Sequence, residues 1–126
     1  MKLALMVGIG SFLGGISRYM LTLFVQFKSA TGFPFGTFAV NLIGCFLIGC
    51  LFGLSERWQL TYEWRLFLVT GFLGGFTTFS AFSAETHYLV KSGHGATALA
   101  YVLLSVLCGV GLTFLGGWLF RINATG

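Results

Sequence analysis

Four long apolar stretches follow one another along the chain, separated by short polar or glycine-containing segments. They extend over residues 3–27, 36–54, 64–90 and 96–120, to within a few positions. A helix that crosses the hydrocarbon core of a bilayer needs roughly 20 apolar residues, so each stretch is long enough to span a membrane. The pattern predicts an all-α membrane protein with four transmembrane helices, and a chain of 126 residues leaves room only for this four-span domain, 1–126.

The third stretch is interrupted near its middle by glycines and hydroxyl residues. Gly71, Gly74 and Gly75 precede the sequence Phe-Thr-Thr-Phe-Ser of residues 76–80. Such a sequence would strain a continuous helix, which predicts a break from Gly74 to Thr78. Carbonyls freed at membrane depth must be buried in protein or bind a cation, and a sodium-like ion would suit them. The helix that begins beyond the break would offer free N–H groups, where anions bind favourably.

The composition indicates a membrane rather than water as the surroundings of this chain. Hydrophobic residues make up 56% of it and charged residues 8%, whereas soluble domains have about 25% charged residues. The basic residues behind the net charge of +4 are scattered singly, so no nucleic-acid partner is expected. The three cysteines lie inside apolar stretches without metal-ligand spacing and are expected to be small packing residues. The first stretch has no convincing cleavage site and is expected to be a retained span.

Lysine and arginine residues are divided almost evenly between the two predicted membrane sides. An even number of spans puts both termini on one side, which carries four basic residues against three on the other: Lys2, Arg57, Arg65 and Arg121 against Arg18, Lys28 and Lys91. The bias of these residues normally orients a membrane protein. A bias this small predicts insertion in both directions and permits an antiparallel, dual-topology homodimer in the lipid bilayer.

Glycines four residues apart recur within the predicted spans. Helices in lipid associate by close van der Waals approach, and small residues at this spacing permit it. The sequence therefore predicts tight helix contacts at three pairs: Gly10 with Gly14, Gly49 with Gly53, and Gly71 with Gly75.

A few polar side chains within the spans carry most of the chemical information, because polar groups at membrane depth need an internal partner, water or a ligand. Thr37 and Asn41 lie on one face of the second helix, where Asn41 could bind an anion or hydrogen-bond a neighbouring helix. In the fourth stretch, hydroxyl residues and one glycine recur at intervals of four: Thr97, Tyr101, Ser105, Gly109 and Thr113. Such a row could donate to a small anion, or its hydroxyls could satisfy carbonyls of their own helix.

Two aromatic and two charged residues complete the set of candidates. Phe79 and Phe82 fall on one helix face beside Ser80, and the positive edge of an aromatic ring can contact an anion. With fifteen phenylalanines in the chain, ordinary core or lipid-facing roles are the alternative. Arg18 could raise the anion concentration at a pore mouth or extend to lipid headgroups. Glu85 is the only acidic residue within the spans, and a single acid without a nearby second acid or base predicts no enzyme activity.

Three segments resemble the signature segments of the CrcB/Fluc family of fluoride ion channels: residues 14–19 (GGISRY), 36–44 (GTFAVNLIG) and 71–85 (GFLGGFTTFSAFSAE). The resemblance covers the whole four-span layout. It implies an antiparallel homodimer in the bacterial cytoplasmic (inner) membrane, with two pores through which fluoride leaves the cytoplasm passively and fluoride toxicity is relieved. It also implies a structural sodium ion at the dimer interface, held by the backbone carbonyls of Gly74 and Thr77.

The same resemblance implies a fluoride pathway along residues of three spans: Asn41, Phe79, Ser80, Phe82, Tyr101, Ser105 and Thr113, with Thr37 and Glu85 at further polar positions. The sequence departs from the family pattern at two places. Ala81 stands where the family usually has threonine, and Gly109 stands in the polar row where a serine is common.

Two other functions remain open from the residues themselves. A small four-span proton-coupled exporter of cationic compounds would need an intramembrane carboxylate, commonly in the first span, and no Asp or Glu precedes Glu56. A purely structural membrane subunit would carry no ion flux. Passive fluoride efflux from reconstituted liposomes distinguishes a channel from both.

Overall fold

Four helical segments of the computed structural model are long and apolar enough to cross a membrane. The structure describes residues 1–28, 32–58 and 60–122, without the side chains of 28, 56–58 and 122. The candidate spans are Lys2–Phe27, Phe35–Ser55, Tyr62–Lys91 and Gly95–Arg121. They confirm the four spans expected from hydropathy, and the boundaries differ by at most two residues. Part of the first connection, residues 29–31, lies outside the described residues.

Three of the spans are continuous α-helices, and the third is assembled from four pieces. The continuous helices are α1 (Lys2–Lys28), α2 (Phe35–Trp58) and α6 (Gly95–Ile122). The third span consists of α3 (Tyr62–Arg65), a π-helical segment (Leu66–Leu73), α4 (Gly74–Phe76) and α5 (Phe79–Lys91). The π-helical segment has no counterpart in the expectations from sequence.

The break in the third span is confined to Thr77 and Thr78. Thr77 has φ −85° and ψ 154°, and Thr78 has φ −147° and ψ 118°, so both are extended. The break expected from Gly74 to Thr78 is thus shorter than predicted, since Gly74 begins helix α4. The two residues that leave the helix are β-branched and suit extended backbone.

Glycines bring two pairs of spans into close contact. A Cβ atom at Gly75 would lie 2.5 Å from the Ser11 carbonyl oxygen, and one at Gly14 would overlap the Phe72 carbonyl. In the second pair of spans, a Cβ at Gly49 would overlap the Thr113 carbonyl. Residues 66–76 therefore lie directly against α1, and α6 lies directly against α2. The close packing expected at these glycines is confirmed.

Two small buried clusters lie on opposite sides of the break. One contains Val40, Leu73 and Phe76. The other is centred on Tyr101, which is fully buried, and includes Leu89 and Ala98. The outer surfaces of the spans expose large apolar side chains such as Phe12 and Phe114, as expected for helices solvated by lipid.

Candidate functional site

Asn41 of α2 closes the gap in the backbone of the broken span. Its Nδ2 donates to the Thr78 carbonyl at 3.0 Å, and its Oδ1 accepts from the Thr78 N–H at 2.9 Å. One amide side chain thus satisfies both backbone groups of a residue that has left the helix, which is necessary where water is scarce. Asn41 keeps one further Nδ2 proton for another acceptor.

Thr78 also caps the N-terminus of α5. The Thr78 hydroxyl accepts from the Ala81 N–H at 3.1 Å and lies 3.2 Å from the Ser80 hydroxyl. Thr78 is therefore the N-cap, and Ser80 is exposed beside it. The N-terminus of α5 thus carries the Thr78 and Ser80 hydroxyls, and the N-terminal end of a helix favours anions.

Side chains of α1 satisfy carbonyls of the third span from the other side. Arg18 Nε donates to the Gly75 carbonyl at 3.1 Å, and the Ser11 hydroxyl donates to the Gly71 carbonyl at 3.3 Å. The Arg18 charge therefore lies beside the break, and this contact was not anticipated from sequence. Within the described residues no side chain donates to the carbonyls of Gly74 or Thr77, and Gly74 is exposed.

A groove of about 380 Å³ runs beside the break, between α2, the third span and α6. It contains six of the residues singled out in the sequence, together with apolar neighbours. Its lining residues are Asn41, Gly44, Cys45, Ile48, Val69, Leu73, Gly74, Thr77, Thr78, Phe79, Phe82, Ser105 and Val106. The groove is thus mostly apolar, with a few uncharged polar groups.

The two predicted rings stand at the edge of this groove. The ring centroids of Phe79 and Phe82 are 5.6 Å apart and their planes are inclined by 46°. Phe82 also contacts Tyr101, with centroids 5.0 Å apart. Phe79 is 80% exposed in the single chain, so its ring is available to a further partner.

Glu85 connects two of the other candidates. The Thr37 hydroxyl donates to its Oε1 at 2.6 Å, and the Tyr101 hydroxyl donates to its Oε2 at 2.8 Å. Both donors are buried and the carboxyl group is half-buried. Sequence reasoning placed these residues on three separate helices and missed that they form one hydrogen-bonded group, because no spacing along the chain reports contacts between helices.

The hydroxyl row on α6 is only partly available to a ligand. The Thr113 hydroxyl donates to the carbonyls of Cys45 and Gly109, at 3.0 and 3.1 Å. Of the row, Ser105 lines the groove, whereas Tyr101 is committed to Glu85. Cys45, expected only to fill space, also lines the groove, and this was missed because a cysteine in an apolar span resembles any other small core residue.

These features define a small multi-pass α-helical membrane protein with an intramembrane polar site at a broken helix. The family described as CrcB-like protein, Camphor Resistance (CrcB), matches residues 5–117. The chain therefore belongs to the CrcB-like family.

Several relatives match almost the full chain. The fluoride-specific ion channel FluC of Chlorobaculum tepidum is 47% identical over 123 residues, which are 97% of each chain. The FluC protein of Oceanobacillus iheyensis is 45% identical, and the match covers 92% of this chain and 89% of the relative. The FluC protein of Leptospira interrogans is 41% identical, and the match covers 95% of each chain.

Proposed function

We propose that this chain is a fluoride-specific ion channel that lets fluoride leave the cytoplasm passively and so relieves fluoride toxicity. The observation that carries the proposal is the 41–47% identity to fluoride-specific channels over almost the whole chain. A channel of this kind is not an enzyme. The setting is the cytoplasmic membrane of a bacterium, since the matching relatives named above are bacterial.

The physical problem for such a channel is the removal of water from a small anion. Stripping a compact ion of water costs on the order of tens of kcal/mol in a low-dielectric medium, so substitute donors must line its route. Fixed positive charges would bind the ion too tightly to release it. Uncharged donors and ring edges lower the barrier without creating such a trap.

The candidate route follows the groove and the polar groups at its ends. Asn41 offers its remaining Nδ2 proton, and Ser105 offers a hydroxyl inside the groove. The ring edges of Phe79 and Phe82 and the Ser80 hydroxyl lie at its margin. Four further candidates lie outside the groove lining and already have hydrogen-bond partners: Thr113, Thr37, Glu85 and Tyr101. They would contact an anion only by exchanging these hydrogen bonds.

Two oppositely inserted copies of the chain would complete this route. Gly74 and Phe79 are exposed in the single chain although they border the groove. A second copy docked at the break would cover them and convert an open groove into an enclosed path. Two-fold symmetry would then produce two antiparallel pores, with Arg18 supplying positive charge near each route.

A structural sodium ion fits the backbone at this surface. The carbonyls of Gly74 and Thr77 accept from no side chain in the described part of the chain, whereas Gly75 and Thr78 carbonyls are engaged by Arg18 and Asn41. Carbonyl oxygens are suitable ligands for a hard cation. Gly74 and Thr77 of two copies would offer four oxygens, and the bound cation would hold the two breaks together.

Reconstituted liposomes test the channel function. Vesicles loaded with fluoride and carrying the protein should release fluoride rapidly when charge balance is provided, and should retain chloride. Phe79→Ile and Phe82→Ile should each reduce fluoride efflux by at least about tenfold, because an aliphatic side chain has no positive edge. Fluoride efflux is read with an ion-selective electrode.

Two controls make the result decisive. Phe12→Ile replaces an exposed ring on α1, remote from the groove, and should leave efflux unchanged. Proton-coupled uptake of a cation without fluoride efflux would instead support the exporter. Vesicles with the protein that retain fluoride as well as empty vesicles do would contradict the proposal.

A further inference from the structure

The row of hydroxyls on α6 has a gap at Gly109, and the neighbouring helix occupies that gap. Ser105 and Thr113 are two helical turns apart, which at ~1.5 Å per residue separates them by about 12 Å along α6. Gly109 lies between them, is buried and contributes no side-chain donor. An anion moving along the row would find no side-chain donor from this face of α6 over that distance.

The sulfur of Cys45 lies beside the position where a side chain at Gly109 would begin. A Cβ atom built on Gly109 would lie 3.3 Å from Cys45 Sγ, closer than ordinary van der Waals contact, and apart from the adjacent backbone of α6 no other described atom lies within 4 Å of it. At this level there is therefore room for a polar side chain on α2 or on α6. Polar side chains on both helices at once would crowd each other.

The position of Cys45 in the groove supports a direct role. It lines the groove together with Asn41, one turn before it on α2, and with Ser105 on α6. The Thr113 hydroxyl donates to the Cys45 carbonyl, which holds the backbone of Cys45 against α6. A thiol is a weak donor, and its hydrogen can turn toward an anion in the groove.

We infer that the Cys45 thiol continues the polar row across the gap at Gly109 and is a conduction-determining residue of the proposed fluoride pathway. The inference rests on the proposed function. In this chain the donor at the level of Gly109 would then lie on α2, at Cys45, and not on α6.

Exchanging the donor between the two helices tests this inference by fluoride efflux from proteoliposomes. Cys45→Ala should lower efflux by about three- to tenfold, as expected for loss of one hydrogen-bond donor. Gly109→Ser alone should also lower efflux, because its Cβ crowds the sulfur. Gly109→Ser combined with Cys45→Ala should recover most of the lost efflux, because the hydroxyl enters the vacated space.

A thiol reagent provides a second measurement, made first on the natural sequence. Methyl methanethiosulfonate converts the Cys45 thiolate to a methyl disulfide with methanesulfinate as the leaving group. The S–H donor is thereby lost, and efflux through the natural sequence should be inhibited. The inhibition should persist in Cys108→Ala, a half-buried cysteine on α6 that does not line the groove, and should disappear in Cys45→Ala. Mass spectrometry verifies the modification of Cys45.

The possible failures are distinguishable. A natural sequence without fluoride efflux overturns the channel proposal and this inference with it. Normal efflux combined with full activity of Cys45→Ala, or of protein fully modified at Cys45, overturns the inference alone. A double variant no more active than Cys45→Ala likewise excludes exchange of the donor between α2 and α6.

Discussion

At the scale of single residues, the polar groups of the spans are mostly paired with each other. Among the described residues, no buried side-chain nitrogen or oxygen lacks a hydrogen-bond partner. Asn41 is the clearest case, because its amide replaces two hydrogen bonds that the helix break removes. We therefore expect Asn41 to stabilise the fold independently of any contact with an anion.

Replacing Asn41 by alanine should lower the stability of the detergent-solubilised protein. Both the N–H and the carbonyl of Thr78 would lose their partner, and the expected loss is about 2–4 kcal/mol in the free energy of unfolding. Ser83→Ala, at an exposed position on α5, should change it by less than about 0.5 kcal/mol. Denaturant unfolding measures both free energies, and equal values for the two variants would contradict a structural role of Asn41.

At the scale of the elements, stability depends on glycines that allow backbones to approach. A Cβ at Gly116 would lie 2.6 Å from the Phe46 carbonyl oxygen and 2.9 Å from the Cys50 amide nitrogen. Neither backbone atom can rotate away, so α2 and α6 would have to separate. In lipid, this close van der Waals approach is the principal attraction between helices.

Two glycines of α6, one at the contact with α2 and one away from it, allow the contribution of this contact to stability to be measured. Gly116→Ala should destabilise the protein by about 1–3 kcal/mol, as expected for overpacking. At Gly111, no described atom outside the adjacent backbone of α6 lies within 4 Å of the added Cβ, so Gly111→Ala should be neutral or stabilise α6 by up to about 1 kcal/mol through helix propensity. The unfolding free energies of the two variants in detergent provide the comparison, and similar values would show that the α2–α6 contact tolerates a methyl group.

At the scale of the whole molecule, the distribution of charge decides the orientation. Among the described residues, Lys2 at the start of α1 forms an ion pair with Glu63 of α3 at 3.3 Å, which is largely exposed and contributes little. The sequence divides its basic residues nearly evenly between the two predicted sides. Both orientations should therefore be populated in one membrane.

Labelling a C-terminal tag from each side of the membrane tests whether both orientations are populated. About half of the copies should be accessible from each side, given so small a charge bias. Replacing Lys28 and Lys91 by glutamine leaves Arg18 alone on its side, and should place nearly all tags in the cytoplasm by the positive-inside rule. Tags of the natural sequence found on one side only would contradict a dual-topology dimer.

The amino-acid sequence by itself determined the four spans, the position of the break to within three residues, and the glycine contacts. Hydropathy and helix breaking depend on the local solvent and on local backbone preferences, so a stretch of about 20 residues contains the information. The resemblance of three segments to a known family added the candidate pathway, which remains a prediction.

Only the tertiary structure decided which polar groups are partners. The pairing of Asn41 with Thr78, the joining of Thr37 and Tyr101 through Glu85, and the position of Cys45 opposite Gly109 depend on the rotation and depth of each helix. These are set by contacts between helices far apart in sequence. Because hydropathy is nearly uniform around each span, the sequence does not specify which face meets which neighbour.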